Sequence, residues 1–194
     1  MTKEVVATRS DHRRSRHKVL SDLIRSNPLL TDEELAERLK VSVSTVRLDR
    51  VILGIPELRE RMRAMAEAAG SRLRSLTRDE VVGDLLELEP NVGALSLLEA
   101  TREMGFRGTD RIWDHFIYAQ ASTLAMATIG AEMVITGSAR VRYRHPAFVG
   151  DRLLARSKVG VNKGNKYVVS VRTWVMDREI FVGRFIVVTM DQPA

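Results

Sequence analysis

Ser44, Thr45, Arg47 and Arg50 lie close enough together for one short helix to carry all four. An arginine fork pairs bidentately with guanine O6 and N7, a contact worth roughly 1–3 kcal/mol of discrimination. Hydroxyls such as Ser44 and Thr45 suit a phosphate or a thymine methyl. Arg13, Arg14, Arg16 and Lys18 precede this run, and Lys40 and Ser42 sit at its threshold. Cations there would follow the duplex backbone or a minor groove, adding affinity rather than sequence choice. The expected partner is double-stranded DNA, with Arg13, Arg14, Arg16, Lys40, Ser42, Ser44, Thr45, Arg47 and Arg50 as its contacts.

Other chemistry is sparse. The chain has no cysteine, which excludes disulfides, thiolate nucleophiles and thiolate-bound metals and fits a reducing, cytoplasmic location. His12, His17, His115 and His145 are scattered, so no metal site is expected. Gly105-Phe106-Arg107-Gly108 lacks the strand-turn-helix setting of a phosphate-binding loop. Lys163-Gly164-Asn165-Lys166 reads as a hairpin turn whose lysines could also meet phosphates. Arg142 and Arg144, flanking Tyr143, suit phosphates or solvent equally.

The elements that would hold these residues fall into two parts. Residues 1–78 carry 17 Lys/Arg and 11 Asp/Glu, whereas residues 79–194 carry 14 of each, so the whole net charge of +6 lies in the first part. Charge concentrated this way attracts a polyanion. Residues 1–12 are polar and expected to fray. A helix is predicted over 13–26, ended by Asn27-Pro28. Thr31 and Glu34 form a capping box for a second helix, with Leu35, Ala36 and Leu39 inward. Lys40-Val41 makes a tight turn, and Ser42 caps a third helix carrying Val43, Val46, Leu48, Val51 and Ile52. Two helices joined by a short turn form a helix-turn-helix, the second entering the major groove. Residues 57–76 read as a charged amphipathic linker helix.

Beyond Thr77 the pattern changes. Short strands are predicted over 81–88 and 93–98. A long helix follows over 109–129, with Ile112, Phe116, Ala119, Thr123 and Ala127 along one side. Alternating strands come last, over 133–143, 152–161, 167–176 and 180–189. They suit an antiparallel sheet with one face covered by the long helix. No signal peptide and no membrane span are expected: the start is polar and no apolar run approaches about 20 residues. The fold class is α+β: a helix-turn-helix domain over 1–55, a linker helix over 56–77 and a sheet domain over 78–194.

The runs Thr31-Asp32-Glu33-Glu34-Leu35-Ala36, Val41 to Arg50 (with Thr45-Val46-Arg47-Leu48-Asp49-Arg50) and Ile55-Pro56-Glu57-Leu58-Arg59-Glu60-Arg61 resemble the FapR family of repressors. Later segments agree: Phe106, Tyr118-Ala119-Gln120-Ala121, Ser138 to Tyr143 and Val182-Gly183-Arg184-Phe185. The resemblance covers about residues 13–186. It implies a bacterial regulator of fatty-acid and phospholipid synthesis genes. Its head would be a winged or plain helix-turn-helix, its C-terminal part a hot-dog domain that pairs two copies. Malonyl-CoA, bound in that domain, would release the dimer from its operator. No cofactor is implied.

At the implied ligand site the chain departs from the family. Trp113-Asp114 stands where the family has Arg-Gly, and Ser122 where it has Asn, although Phe106 matches a pocket phenylalanine. A buried malonyl carboxylate needs a cation or several donors. Arg107 or Arg111 could replace the missing arginine. Alternatively the effector is another acyl-CoA, with Trp113 against a longer chain, or Trp113 is core packing and the pocket degenerate. The candidate ligand residues are Phe106, Arg107, Arg111, Trp113, Asp114 and Ser122. Hot-dog domains are also thioesterases, so acyl-CoA hydrolysis, with Asp114 as general base, is the alternative to a non-enzymatic sensor.

Overall fold

The computed structural model describes residues 9–190, with side chains from residue 12. The chain divides into two compact units, Met1–Ala64 and Met65–Ala194. Of the polar lead expected to fray, residues 9–12 are helical and residues 1–8 lie outside the described residues.

The first unit is helical. α1 spans Arg9–Ser26, α2 Asp32–Leu39 and α3 Val43–Ile52. The Thr31 hydroxyl accepts from the Glu34 amide at 3.1 Å and the Glu34 carboxylate accepts from the Thr31 amide at 2.7 Å, so the capping box closes as expected. Ser42 caps α3 by accepting from the Thr45 amide. Between them Lys40 takes a left-handed conformation, φ 54°. Leu20, Ile24, Leu30, Leu35, Ala36 and Val46 form the buried core. Leu48, Val51 and Ile52 stay outside it, Val51 at 75 % exposure. Among the described residues of this unit there is no strand, so the head is a plain helix-turn-helix without a wing.

α4 spans Leu58–Gly70, and the boundary between the units falls inside it. It is shorter than the predicted linker helix. Arg72 donates to Ala69 O and Leu73 to Gly70 O, tightening and ending the helix. Leu73 and Leu76 then pack against the core of the second unit.

That unit is one antiparallel sheet of β1 (Asp84–Glu89), β2 (Gly93–Glu99), β3 (Val134–Tyr143), β4 (Arg152–Lys163), β5 (Lys166–Val175) and β6 (Arg178–Thr189), in the order β1-β2-β4-β5-β6-β3. β3 pairs only with β6 and so forms one edge. α5 (Asp114–Ala127) packs on all strands from β2 to β6. Ile117, Ala121, Leu124 and Ala125 of α5 meet Leu153, Val169, Val171, Phe181 and Phe185 in a single buried cluster. This is the hot-dog arrangement, a sheet around a long helix. Two local differences from the sequence reading have physical causes. β1 begins at Asp84, since Gly83 must hold φ +85° with Leu97 O only 2.6 Å from where a Cβ would stand. α5 begins at Asp114 and not near Thr109, because the preceding backbone is tied sideways: Ile112 donates to Ala147 O and Trp113 to Met104 O. Its buried side is Ile117, Ala121 and Leu124 rather than Phe116, Ala119 and Thr123, which are half-buried. An alanine-rich helix that is apolar nearly all round gives little periodicity to read.

Candidate nucleic-acid interface and effector site

In the head, two carboxylates organise the cations. Asp32 accepts from Arg50 twice, Nε to Oδ1 at 2.7 Å and Nη2 to Oδ2 at 2.9 Å. The third Arg50 bond, from Nη1, goes to Ile55 O at 3.2 Å. Asp49 accepts Nε and Nη2 of Arg16, at 2.6 and 3.1 Å, and lies 2.8 Å from His17 Nε2. Arg50 is 7 % exposed and Asp49 2 %. Arg50, expected at a base, is therefore turned into the fold, where it ties the start of α2 to α3; reaching DNA would leave the half-buried Asp32 carboxylate without that cation. Arg16 is likewise largely committed to Asp49.

The outward face of α3 is instead Ser44, Arg47, Leu48 and Val51, all exposed. Arg47 touches Asp32 at 3.4 Å and Glu33 at 3.9 Å, long contacts that aim the guanidinium without burying it. Leu48 and Val51 supply apolar contact of the kind a thymine methyl accepts. The sequence did not mark them out, because an apolar residue on a short helix reads first as core. The hydroxyls of Ser42 and Thr45 bond each other at 2.9 Å, so both are largely spent on the cap. Arg13, Arg14 and Lys40 are exposed. A further residue escaped the sequence reading. Arg61 of α4 is buried, donating to Pro28 O at 2.9 Å, Leu30 O at 2.7 Å and Pro56 O at 2.6 Å. Burial lowers its pKa, and the neighbouring Arg50 charge lowers it further.

The hydrogen bonds from Arg50 hold the Asp32 carboxyl below the usual carboxylate range, and those from Arg16 do the same for Asp49. A carboxyl depressed in the folded state stabilises fully above its unfolded pKa, about 3.9, and loses that contribution as pH falls through the folded value. The head should keep its thermal stability from pH 7 to about 5 and lose it steadily below about 4. Following helix melting against pH in wild type and Asp49→Asn tests this: the variant should start less stable and show a shallower acid decline.

In the sheet unit the expected ligand residues fall into two groups around the start of α5. Phe106 and Trp113 stack with ring centroids 3.8 Å apart and planes inclined by 24°, and Trp113 remains 43 % exposed. Trp113 is thus a surface aromatic platform rather than core packing. Arg111 meets Asp114 at 3.3 Å, which partly neutralises both. Arg107 is exposed. Asp114, Tyr118 and Ser122 follow at helical spacing on one half-buried side of α5. Edge strand β3, which carries Tyr143, packs on α5; burial raises the Tyr143 phenol pKa, and Asp114 and Tyr118 raise it further. His115 leans on Phe116, centroids 4.2 Å apart. A separate cleft of about 620 Å³ is lined by Met65, Arg72, Leu86, Val92, Arg156 and Lys158 among others, and by none of the expected ligand residues.

Among the described residues no group of three or more His, Asp or Glu is placed to hold a metal, and no helix is long and apolar enough to cross a membrane.

No family model matches the chain. Curated relatives do, over nearly its whole length. A protein called transcription factor FapR from Thermoanaerobacter sp. (strain X514) is 45 % identical over 177 residues, covering 91 % of this chain and 88 % of the relative. Transcription factor FapR of Bacillus velezensis (strain DSM 23117 / BGSC 10A6 / LMG 26770 / FZB42) is 40 % identical over 176 residues, 89 % of this chain and 94 % of that one. Among solved structures, Cj0977, a sigma28-regulated virulence protein from Campylobacter jejuni, superposes with a TM-score of 0.62 at 25 % identity, covering 66 % of this chain and 92 % of that one. The uncharacterized protein PH1136 from Pyrococcus horikoshii gives 0.58 at 26 %, covering 62 % and 92 %. Both are hot-dog proteins, as the sheet wrapped around α5 requires.

Proposed function

Because this chain belongs to the FapR family of transcription factors, we propose that it represses fatty-acid and phospholipid synthesis genes by binding operator DNA as a dimer and is released by malonyl-CoA or a related acyl-CoA. The observation that carries the DNA-binding part is the outward face of α3, Ser44, Arg47, Leu48 and Val51, held rigid by the inward pairs Arg50–Asp32 and Arg16–Asp49. A reading surface must be preorganised, and these pairs fix the helix that carries it. The dimer is supported by β3, a ten-residue strand whose outer edge lacks a strand partner among the described residues. Such an edge offers a row of unpaired backbone groups to a second copy.

The effector reading rests on the Phe106–Trp113 platform beside the Asp114–Tyr118–Ser122 side of α5. A thioester with an apolar acyl chain finds an aromatic surface there. A malonyl carboxylate would have to recruit Arg107 or draw Arg111 away from Asp114. Thermodynamic release requires only that the ligand bind the DNA-free arrangement more tightly than the DNA-bound one. Hydrolysis is the second reading. It would use Asp114 as base, although that carboxylate already faces Arg111.

The test begins with promoter fragments of lipid-synthesis genes. Arg47→Ala should lose about 5- to 150-fold in discrimination between operator and scrambled duplex, the equivalent of 1–3 kcal/mol for one lost arginine contact. Undiminished discrimination would remove Arg47 from the reading surface. Adding malonyl-CoA, acetyl-CoA or long-chain acyl-CoA should release the fragment and raise the melting temperature of the sheet unit. Unchanged operator affinity with every thioester would end the sensor model, and Asp114-dependent thiol release would replace it with an enzyme.

A further inference from the structure

Residues 79–194 contain equal numbers of acidic and basic side chains, but the structure separates them. Strands β3, β4, β5 and β6 together carry ten Lys/Arg and a single acid, Glu179. Strand alternation sends Leu153, Ala155, Val169, Val171, Phe181 and Phe185 inward onto α5. It sends the cations to the face opposite α5, where Arg156 and Lys158 also border the cleft lined by Met65 and Ala69 of α4. There they form two adjacent rows. One runs Arg140–Arg184–Ser170–Lys158, the other Arg142–Val182–Arg172–Arg156, each crossing β3, β6, β5 and β4. Each row is about 14 Å across at the usual strand spacing, and cations two apart on a strand are about 7 Å from each other.

Arg140 lies directly opposite Arg184, and Arg156 directly opposite Arg172. Like charges in facing cross-strand positions weaken a sheet. Glu179 answers only Arg172 and Arg144, at 2.7 and 2.9 Å. Arg140, Arg142, Arg156, Lys158 and Arg184 are exposed and make no ion pair with the described residues. Folding thus assembles a row of charge that it does not neutralise.

We propose that this outer sheet face binds the phosphate backbone of duplex DNA, as a sequence-independent contact surface separate from α3. The proposal rests on the reading of the chain as a DNA-binding protein. The chemistry of the face favours that occupant. Guanidinium forks grip phosphate oxygens bidentately. The two rows hold six cations against one hydroxyl, Ser170, and one apolar side chain, Val182, a charge density that matches a polyanion. The contact is electrostatic, so it adds affinity and salt dependence without adding base preference.

The test compares the full chain with Arg140→Gln/Arg156→Gln/Lys158→Gln/Arg184→Gln on mixed-sequence duplex DNA, over a salt series read by fluorescence anisotropy. Each phosphate contact contributes about 0.9 to the slope of log K against log salt, so loss of four should lower its magnitude by roughly 3.6. The changes are at exposed sites, and melting of the variant checks that the fold is kept. Arg140→Lys/Arg156→Lys/Arg184→Lys, which retains charge, should keep the wild-type slope. An unchanged slope in the glutamine variant overturns the proposal, and it does so equally if that variant loses binding to phosphatidylglycerol vesicles. Should the wild-type chain bind no duplex at all, the DNA-binding reading itself falls; should it bind, with discrimination lost in Arg47→Ala but the salt slope unchanged in the glutamine variant, that reading stands and this one does not.

Discussion

Asp32→Ala is expected to destabilise the N-terminal unit by about 3–5 kcal/mol and to abolish DNA binding with it. The carboxylate accepts two bonds from Arg50, whose other hydrogen-bond partner among the described residues is Ile55 O. Arg61 adds a second buried guanidinium whose charge is felt at Arg50, and its own bonds all go to carbonyls. Removing Asp32 leaves two buried cations near each other with no anion between them. A small domain holds only about 5–15 kcal/mol in total, so the loss consumes a large share. Circular dichroism melting reads it directly. The double change Asp32→Leu/Arg50→Met should recover much of the stability, since an apolar pair replaces a buried ion pair without an orphaned charge. A single variant as stable as wild type would show that the pair contributes nothing.

Phe185→Ala should lower the stability of the sheet unit by about 3–5 kcal/mol. Phe185 is fully buried beneath α5, 5.9 Å from the Tyr118 ring. It also lies over Gly183, where an added Cβ would come within 2.5 Å of it. The ring therefore fills space that the backbone leaves open by having no side chain there. Removing it opens a cavity beneath the same helix side that carries Asp114 and Ser122, so any thermal shift given by an acyl-CoA should weaken as well. Denaturant unfolding of wild type and variant measures the first effect. A cost under about 1 kcal/mol would mean that the core closes over the gap.

Much of the fold was legible because its signals are local. Thr31 with Glu34 and Ser42 before Thr45 declare helix starts within four residues of themselves. Val168 to Val175 alternates so regularly that its inward and outward faces follow at once. What could not be read depends on distant partners. Nothing beside Arg50 reveals that Asp32, in another helix, will draw it inward, so a buried staple and a base-reading arginine look the same in sequence. Leu48 and Val51 were legible as apolar and illegible as outward. The start of α5 was misplaced because Met104 and Ala147 capture the amides of Trp113 and Ile112. Phe106 and Trp113 were both expected near a ligand; their mutual stacking belongs to the loop that joins them. The charge balance of the C-terminal part concealed the basic rows, since a sum over residues ignores which face each one takes.

The strand order has a consequence in time. β3 leaves the ribosome soon after α5, yet its sole neighbour in the sheet is β6, the last strand to be made. At ordinary elongation rates of about 5–20 residues per second, β3 waits for seconds with both edges open. The sheet unit is thus completed only once β6 has been made. A message truncated before β6 would yield a chain whose helical head can fold but whose sheet is left with bare edges at both β3 and β5, a species suited to aggregation and to clearance by proteases.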